Sequence, residues 1–431
     1  MKNRASRTCL ALIIALVFAV CFVCGCNGSY SSSYDWVINT ITKYYYEDIP
    51  EDVLHKGIMS GGVSSVLDRY SAYYTRDEYA QVLASNSGSK TGIGVSYQYL
   101  DEGVSSRGSG VLLVDVVGGS PAWESGLKAG TFIHGVRFGG AQTLFNSTSD
   151  FSSFIAARGE GEPFTFLTDR GEYEVSKQSY TASYCAMATC EKTYGIYYES
   201  GAMAVFEKNE GLACLPEGAA YMRLDQFYGN AVEEFYTLMA KYNADNCTSL
   251  ILDLRQNGGG YVDIMCDISG IFVGQRGAKA MTAEYKNGRQ EFKIGRVAGV
   301  TQAFPAGSKM SVLADNGTAS ASEALIGVLI SYGVIDYSDV YISDFSQGYL
   351  AFTGTESKNC RTYGKGIMQT TYTNRSTGEA LKLTTAKLYW PNGACIHDVG
   401  LTAQKCRTVS TDWCVTYDDE QLSRAIEMIY S

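Results

Sequence analysis

The sequence predicts a multidomain α/β protein. It should carry a helical N-terminal region, a small β-rich module, and an α/β core with helices packed on a mixed sheet. Length is the first reason, because 431 residues exceed one ordinary domain of roughly 100–200 residues. Composition is the second: 45% hydrophobic and 19% charged residues can fill cores, which excludes a mostly disordered chain. The third is a change of rhythm, from helical steps to short alternating runs to strand–helix alternation.

Residues 1–26 read as a leader. Lys2, Arg4 and Arg7 precede an unbroken apolar run at 10–23, short for a span of roughly 20 residues. Val23-Cys24-Gly25-Cys26 before Asn27 resembles a bacterial lipobox, with Cys26 as the lipidated residue; an uncleaved signal anchor is the alternative. Either reading implies an extracytoplasmic body on the outer face of a bacterial membrane. Residues 27–33 form a tether. Over 34–88, apolar residues recur at three- and four-residue steps, and His55 falls there as an exposed or capping residue.

Residues 89–179 are expected to form the β-rich module, with strands near 92–99, 110–117, 131–138, 163–168 and 172–177. One short helix should start at Ser120-Pro121, an N-cap followed by proline at the first helical position; another is expected at 149–157. Residues 180–431 should form the α/β core. Apolar strands are expected at 249–254 and 310–314, helices at 231–242, 261–272 and 322–332, and further strands at 367–372 and 381–389. A helix at 420–430 closes the chain.

Charge and composition exclude several functions. The net charge is −10 with no basic block, so nucleic acid is not an expected partner. Only His55, His134 and His397 occur, which leaves little room for a multi-His metal site and predicts a catalytic base of another type. The nine cysteines beyond the leader form no CxxC pair and sit beside no His at zinc-ligand spacing. No metal or cofactor is implied.

Three segments at expected strand ends carry chemistry. They are Asp253-Leu254-Arg255-Gln256-Asn257-Gly258-Gly259-Gly260, Asn316-Gly317-Thr318-Ala319-Ser320-Ala321-Ser322-Glu323, and Thr362-Tyr363-Gly364-Lys365-Gly366-Ile367-Met368-Gln369. A serine at a helix start has backbone N–H groups and the positive helix end beside it. A glycine run beyond a strand lets a second N–H approach a reacting carbonyl, completing an oxyanion hole. The base would then be a desolvated lysine, and Lys365, between two glycines, has no adjacent bulk. If Lys365 begins a strand, Gln369 shares its face and can hold the amine without adding charge. Ser322 is the rival nucleophile; Asp253, Arg255 and Glu323 read as ion-paired or capping groups, and His397 as structural.

Together these segments resemble the carboxyl-terminal processing peptidases, or tail-specific serine proteases. The resemblance extends to Leu67-Asp68-Arg69-Tyr70-Ser71, Thr91-Gly92-Ile93-Gly94-Val95, Gly119-Ser120-Pro121-Ala122, Trp390-Pro391-Asn392-Gly393 and Asp398-Val399-Gly400-Leu401. It implies Ser320 as nucleophile, Lys365 as general base, Gln369 as the lysine-positioning residue, and Gly259 and Ala321 as oxyanion donors. It also implies that 89–179 is a PDZ domain whose loop at Gly92, Ile93, Gly94 and Val95 holds a substrate's C-terminal carboxylate. The core would be crotonase- or Clp-protease-like. Expected partners are proteins or peptides with free C-termini, the membrane through lipid or anchor, and a second copy of the chain. The separation of Ser320 from Lys365 is longer than the family's, which marks 343–360 as an insertion. An inert surface lipoprotein that only binds tails through the PDZ module is the alternative function.

Overall fold

A computed structural model describes residues 29–44, 49–102, 107–128, 130–199, 201–344, 360–402, 405–410 and 420–430. The expected leader, the Cys26 lipidation site and nearly all of the expected insertion lie outside the described residues. The chain groups into two compact units. One holds the described residues up to Tyr79 with Thr371–Leu383; the other holds Ala80–Thr370 with the residues from Thr384 onward.

The first unit contains helices α1 (Ser29–Tyr44) and α2 (Glu51–Val66) and strand β1 (Ala72–Tyr74). Pro50 precedes α2, and Glu51 and Asp52 in its first turn complement the helix dipole. No residue of α2 is buried, so propensity and polar ties hold this unit more than a core does. β1 pairs antiparallel with a strand segment of the same unit, Ala72 opposite Lys382 and Tyr74 opposite Ala380. His55 Nδ1 lies 2.5 Å from Tyr34 Oη, and its Nε2 lies 3.6 Å from Glu379 Oε1. Tyr73 also donates its hydroxyl to Glu379. Burial, then the bond to Glu379, pushes Tyr73 up to about 12. His55 is therefore part of a polar chain joining both helices to the strand pair.

Helix α3 (Arg76–Asn86) leads into the β-rich module. It comprises β2 (Ser89–Gly92), β3 (Val95–Leu100), β4 (Gly110–Val116), α4 (Pro121–Glu124), β5 (Phe132–Phe138), β6 (Ala141–Leu144), α5 (Thr148–Ala156), β7 (Pro163–Thr168), β8 (Gly171–Ser176) and β9 (Gln178–Thr181). Its main sheet runs β3-β4-β5-β7-β8, with β6 on β5, while β2 pairs with β9. Alternating residues of β4, β5 and β7 enclose Phe145 and Phe151, and Phe151 stacks on Phe166 at 5.6 Å. Ser120 caps α4 by accepting the Trp123 N–H, with Pro121 at the first position. Trp123 then stacks on Tyr197 and lies 5.7 Å from Phe206, so the module and the core share packing within one unit.

The core follows with β10 (Cys185–Ala188), β11 (Thr193–Glu199), β12 (Ala202–Lys208), β13 (Ala219–Leu224), α6 (Ala231–Ala244), β14 (Ser249–Asp253), α7 (Val262–Val273), β15 (Lys279–Tyr285), β16 (Gly288–Lys293), β17 (Lys309–Ala314), α8 (Ala321–Ser331), β18 (Val340–Asp344), β19 (Ile367–Thr373), β20 (Ala380–Tyr389), β21 (Arg407–Ser410) and α9 (Glu420–Tyr430). The main sheet runs β12-β11-β10-β13-β14-β17-β18-β21. Pairing is antiparallel from β12 to β13 and parallel from β13 to β21.

Strand β14 is buried along its whole length, which explains its unbroken apolar sequence. Its residues alternate between two cores. Leu250 and Leu252 pack with residues of α6, α7 and α8, whereas Ile251 packs with Leu422, Ala425 and Ile426 of α9. Each fully buried Leu or Ile contributes about 1.5–3 kcal/mol, so β14 is the anchor of the sheet. Because β14 and β17 are parallel neighbours, their C-terminal ends open at one edge, where an α/β sheet usually binds its ligand.

Candidate active site

Two turns leave that edge together. After β14 the chain turns through residues 254–260, and after β17 through 315–320. Asp315, 2% exposed, ties them: its Oδ1 accepts the N–H groups of Gln256, Gly317 and Thr318, and its Oδ2 accepts from Gln256 Nε2 at 2.6 Å. Asn257 is a second tie and is fully buried. Its Nδ2 donates to the Leu224 carbonyl, and its own carbonyl accepts from Ala319 N–H and Ser322 Oγ. Ser322, the rival nucleophile, is fully buried with its hydroxyl committed to that bond.

Ser320 stands between the second turn and α8, partly exposed, at φ 58 and ψ −114. An ordinary N-cap residue has β-region backbone. A serine with positive φ here is strained, as residues at functional sites often are. Gly259, at φ 97, lies against it: a Cβ on Gly259 would stand 2.8 Å from Ser320 Cβ and from Ala321 N. Only glycine admits that approach. Ala321 is the first residue of α8, so its N–H has no intrahelical acceptor. The Gly259 N–H, expected as the other oxyanion donor, donates in this structure to Asn257 Oδ1 at 2.9 Å.

Lys365 comes from the third segment. Strand β19 begins at Ile367, so Lys365 precedes the strand and does not open it, contrary to the face-sharing expectation. Gln369 lies within β19, and its Nε2 donates to Thr384 Oγ1 at 3.0 Å. The loop around Lys365 is bonded throughout. Gly364 O accepts from Asp398 N–H, Gly366 O accepts from Leu388 N–H, and Tyr363 N–H donates to Thr318 O. Gly366 packs on His397, where a Cβ would come within 2.7 Å of the His397 nitrogen.

Glu323, read from sequence as a capping or ion-paired group, does cap the start of α8 by accepting the Ser320 N–H, and it also joins the two segments. It is fully buried in the first turn of α8. Its Oε2 accepts the Ser320 N–H at 3.0 Å and the Lys365 N–H at 2.9 Å. Its Oε1 accepts the Thr362 hydroxyl at 2.6 Å and the Gly364 N–H at 2.8 Å. Burial pushes the Glu323 carboxyl up, and these four bonds oppose the shift. The Ser-Ala-Ser-Glu spacing could have flagged it as a capping-box glutamate. Its partners forty residues on carry no such signal.

Asp253 and Arg255 pair as expected. Arg255 Nε donates to both Asp253 oxygens at 2.9 and 3.0 Å, and Tyr221 Oη donates to Oδ2 at 2.7 Å. Burial raises Asp253, but Arg255 and Tyr221 outweigh it and hold the carboxyl below its usual range. In the module, Gly94 has φ 76 and a Cβ there would meet Ser120 Cβ at 2.1 Å. The Ile93 and Gly94 carbonyls accept the Ala122 and Val117 N–H groups, which fixes the loop onto the start of α4. Val95 opens β3, which lies at the end of its sheet.

The α/β sheet presents a strained serine and a glycine turn at one edge, and the proteins this chain is similar to are named as serine proteases or C-terminal processing peptidases. Residues 218–336 match the model of peptidase family S41. A Staphylococcus epidermidis protein named as a CtpA-like serine protease is 26% identical over 367 residues, covering 85% of this chain and 63% of that protein. A chloroplastic C-terminal processing peptidase from Tetradesmus obliquus is 24% identical over 348 residues, 78% of this chain and 64% of that one. The chain thus spans less than two thirds of the length of these relatives. Among solved structures, an S41 protease from Bacteroides fragilis NCTC 9343 aligns with a TM-score of 0.57 at 14% identity, over 91% of this chain and 96% of that chain. That likeness shows a shared fold.

Proposed function

We propose that this chain is an exported serine endopeptidase that cuts protein substrates near their C-termini with Ser320 and Lys365. The observation that carries the reading is the meeting of the Ser320 and Lys365 backbones on one carboxylate oxygen, beside Gly259, within a chain bearing an S41 domain. Neutral Lys365 takes the proton of Ser320 as the serine oxygen attacks a peptide carbonyl carbon. The developing oxyanion is held by the Ala321 N–H and the positive end of α8, and by the Gly259 N–H once it turns from Asn257 to the substrate. Lys365 then gives its proton to the leaving amine, and water releases the acyl group. Gln369 lies in the strand after the base and steadies the amine.

The β-rich module acts as a PDZ domain. Backbone N–H groups of Ile93 and Gly94 take the substrate's terminal carboxylate, and its tail adds as a strand beside Val95 on β3. The core belongs with crotonase- and Clp-type folds, and the body lies outside the cytoplasm, held by lipid on Cys26 or by an uncleaved anchor. Fatty-acid labelling that disappears in Cys26→Ala would support the lipid.

Cleavage of an unfolded protein with an apolar C-terminus tests the catalytic reading. Ser320→Ala should abolish it, and Lys365→Arg should as well, because Arg stays charged. Equal cleavage by wild type and Ser320→Ala overturns the reading. Binding of the tail with no cleavage by wild type favours the tail-binding lipoprotein instead.

A further inference from the structure

We infer that Glu323 is a positioning residue for the reaction: its carboxylate fixes the relative placement of the Ser320 and Lys365 backbones. The inference rests on the Ser320–Lys365 reading.

Four donors converge on this one group, and only the Ser320 N–H belongs to the ordinary capping-box pattern. The Ser320 N–H supplies one, within the same turn. The other three come from Thr362, Gly364 and Lys365, a segment about forty residues later that is also tied to the turn before α8 through the Tyr363 N–H on the Thr318 carbonyl. The division between the oxygens matters. Oε2 is shared by the amides of the two residues assigned to chemistry, so those nitrogens lie no farther apart than the two bonds laid end to end. Oε1 holds Thr362 and Gly364, and the Thr362 hydroxyl in turn accepts the Leu401 N–H. The hydroxyl's orientation is thereby fixed as a donor to Glu323.

Chemical necessity points the same way. Ser320 sits in a backbone conformation that only surrounding structure can impose, and its own N–H bond to Glu323 is part of that imposition. Lys365 is flanked by glycines that offer no side-chain packing, so backbone bonds must define where its stem begins. A carboxylate can accept all four donors at once, being acceptor-only when ionised. Glutamine cannot: its NH₂ would face two of the four donors and repel them. Misplacement of a reacting group by about 1 Å can cost 10²-fold in rate.

The test compares purified full-length wild type, Ser320→Ala, Glu323→Gln, Thr362→Val and Glu234→Gln on the same unfolded substrate. Glu234 is an equally buried carboxylate that also gathers backbone N–H groups, but those of Tyr184 and Cys185 at the start of β10 and none from the segments of Ser320 or Lys365. Glu323→Gln should lower kcat about 10²-fold while KM stays within about threefold, and should shift the acid limb of the kcat–pH profile as Lys365 moves. Glu234→Gln should lose melting temperature with kcat and its pH profile unchanged. If Glu323→Gln fails to fold, Thr362→Val removes the bond to Glu323 and the one accepted from the Leu401 N–H, and should still lower kcat severalfold per folded molecule, with some loss of melting temperature. If Ser320→Ala abolishes cleavage but the folded Glu323 and Thr362 variants keep wild-type kcat and pH profile, the inference is overturned and the dyad stands. If Ser320→Ala leaves cleavage unchanged, the dyad falls and takes the inference with it.

Discussion

The starts of α6 and α8 use the same device for different ends. Glu234 and Glu323 each sit in the first turns of a helix, each is fully buried, and each accepts backbone N–H groups from a distant segment. Around Glu234 the donors are the Tyr184 and Cys185 amides and the Tyr198 hydroxyl, all belonging to regular strands or their edges. Around Glu323 they are the amides of a strained serine and of a glycine-flanked lysine loop. Burial raises both carboxyls against their hydrogen bonds. A buried carboxylate therefore does not mark a catalytic centre by itself; the proposed site differs in the strain and irregularity of what its carboxylate holds.

The sharpest way to break this comparison is kinetic. A kcat loss of about 10²-fold is expected in Glu323→Gln and none in Glu234→Gln, measured per folded molecule; equal losses in both would mean that each is only structural. Stability comes next. Glu234→Gln leaves a buried N–H facing an NH₂, at about 1–3 kcal/mol for each donor orphaned, read as a shift of the urea midpoint.

A smaller effect lies in pH. Glu234 has a raised native value, first through burial, so the folded state holds its proton more tightly than the unfolded state. Its contribution to stability is full below the unfolded value of about 4.3 and is lost as pH rises through the native value. Wild type should lose stability over that window relative to Glu234→Gln, whose side chain does not titrate. Denaturation midpoints at several pH values check it, and a parallel pair of curves would contradict it.

Much of the site could be read from sequence because its residues announce local necessity. Asn257-Gly258-Gly259-Gly260 after an apolar strand, and Ser320 before a helix, are turn and cap signals, and β14, β17, α6 and α7 fall within a few residues of their expected bounds. Lys365 needed its glycines and the resemblance to be noticed at all. The hubs were not legible. Asn257, Asp315 and Glu323 are common turn and cap residue types, and their decisive partners are distant in the chain. The β15–β16 hairpin was also missed, although Asn287-Gly288 at its turn is a strong hairpin signal. Residues 371–383 were expected within the core, yet they group with the N-terminal helices, since β1 pairs with Ala380 to Lys382.

Ser320's backbone carries one more consequence. A conformation at φ 58 and ψ −114 suits glycine far better than serine. The position is thus tuned against its own thermostability, at a cost on the order of 1–3 kcal/mol. Ser320→Gly should accordingly melt above Ser320→Ala and above wild type, although under the proposed mechanism neither variant forms an acyl intermediate. Selection for heat resistance alone would favour glycine at this position, so the serine that stands there answers to another demand.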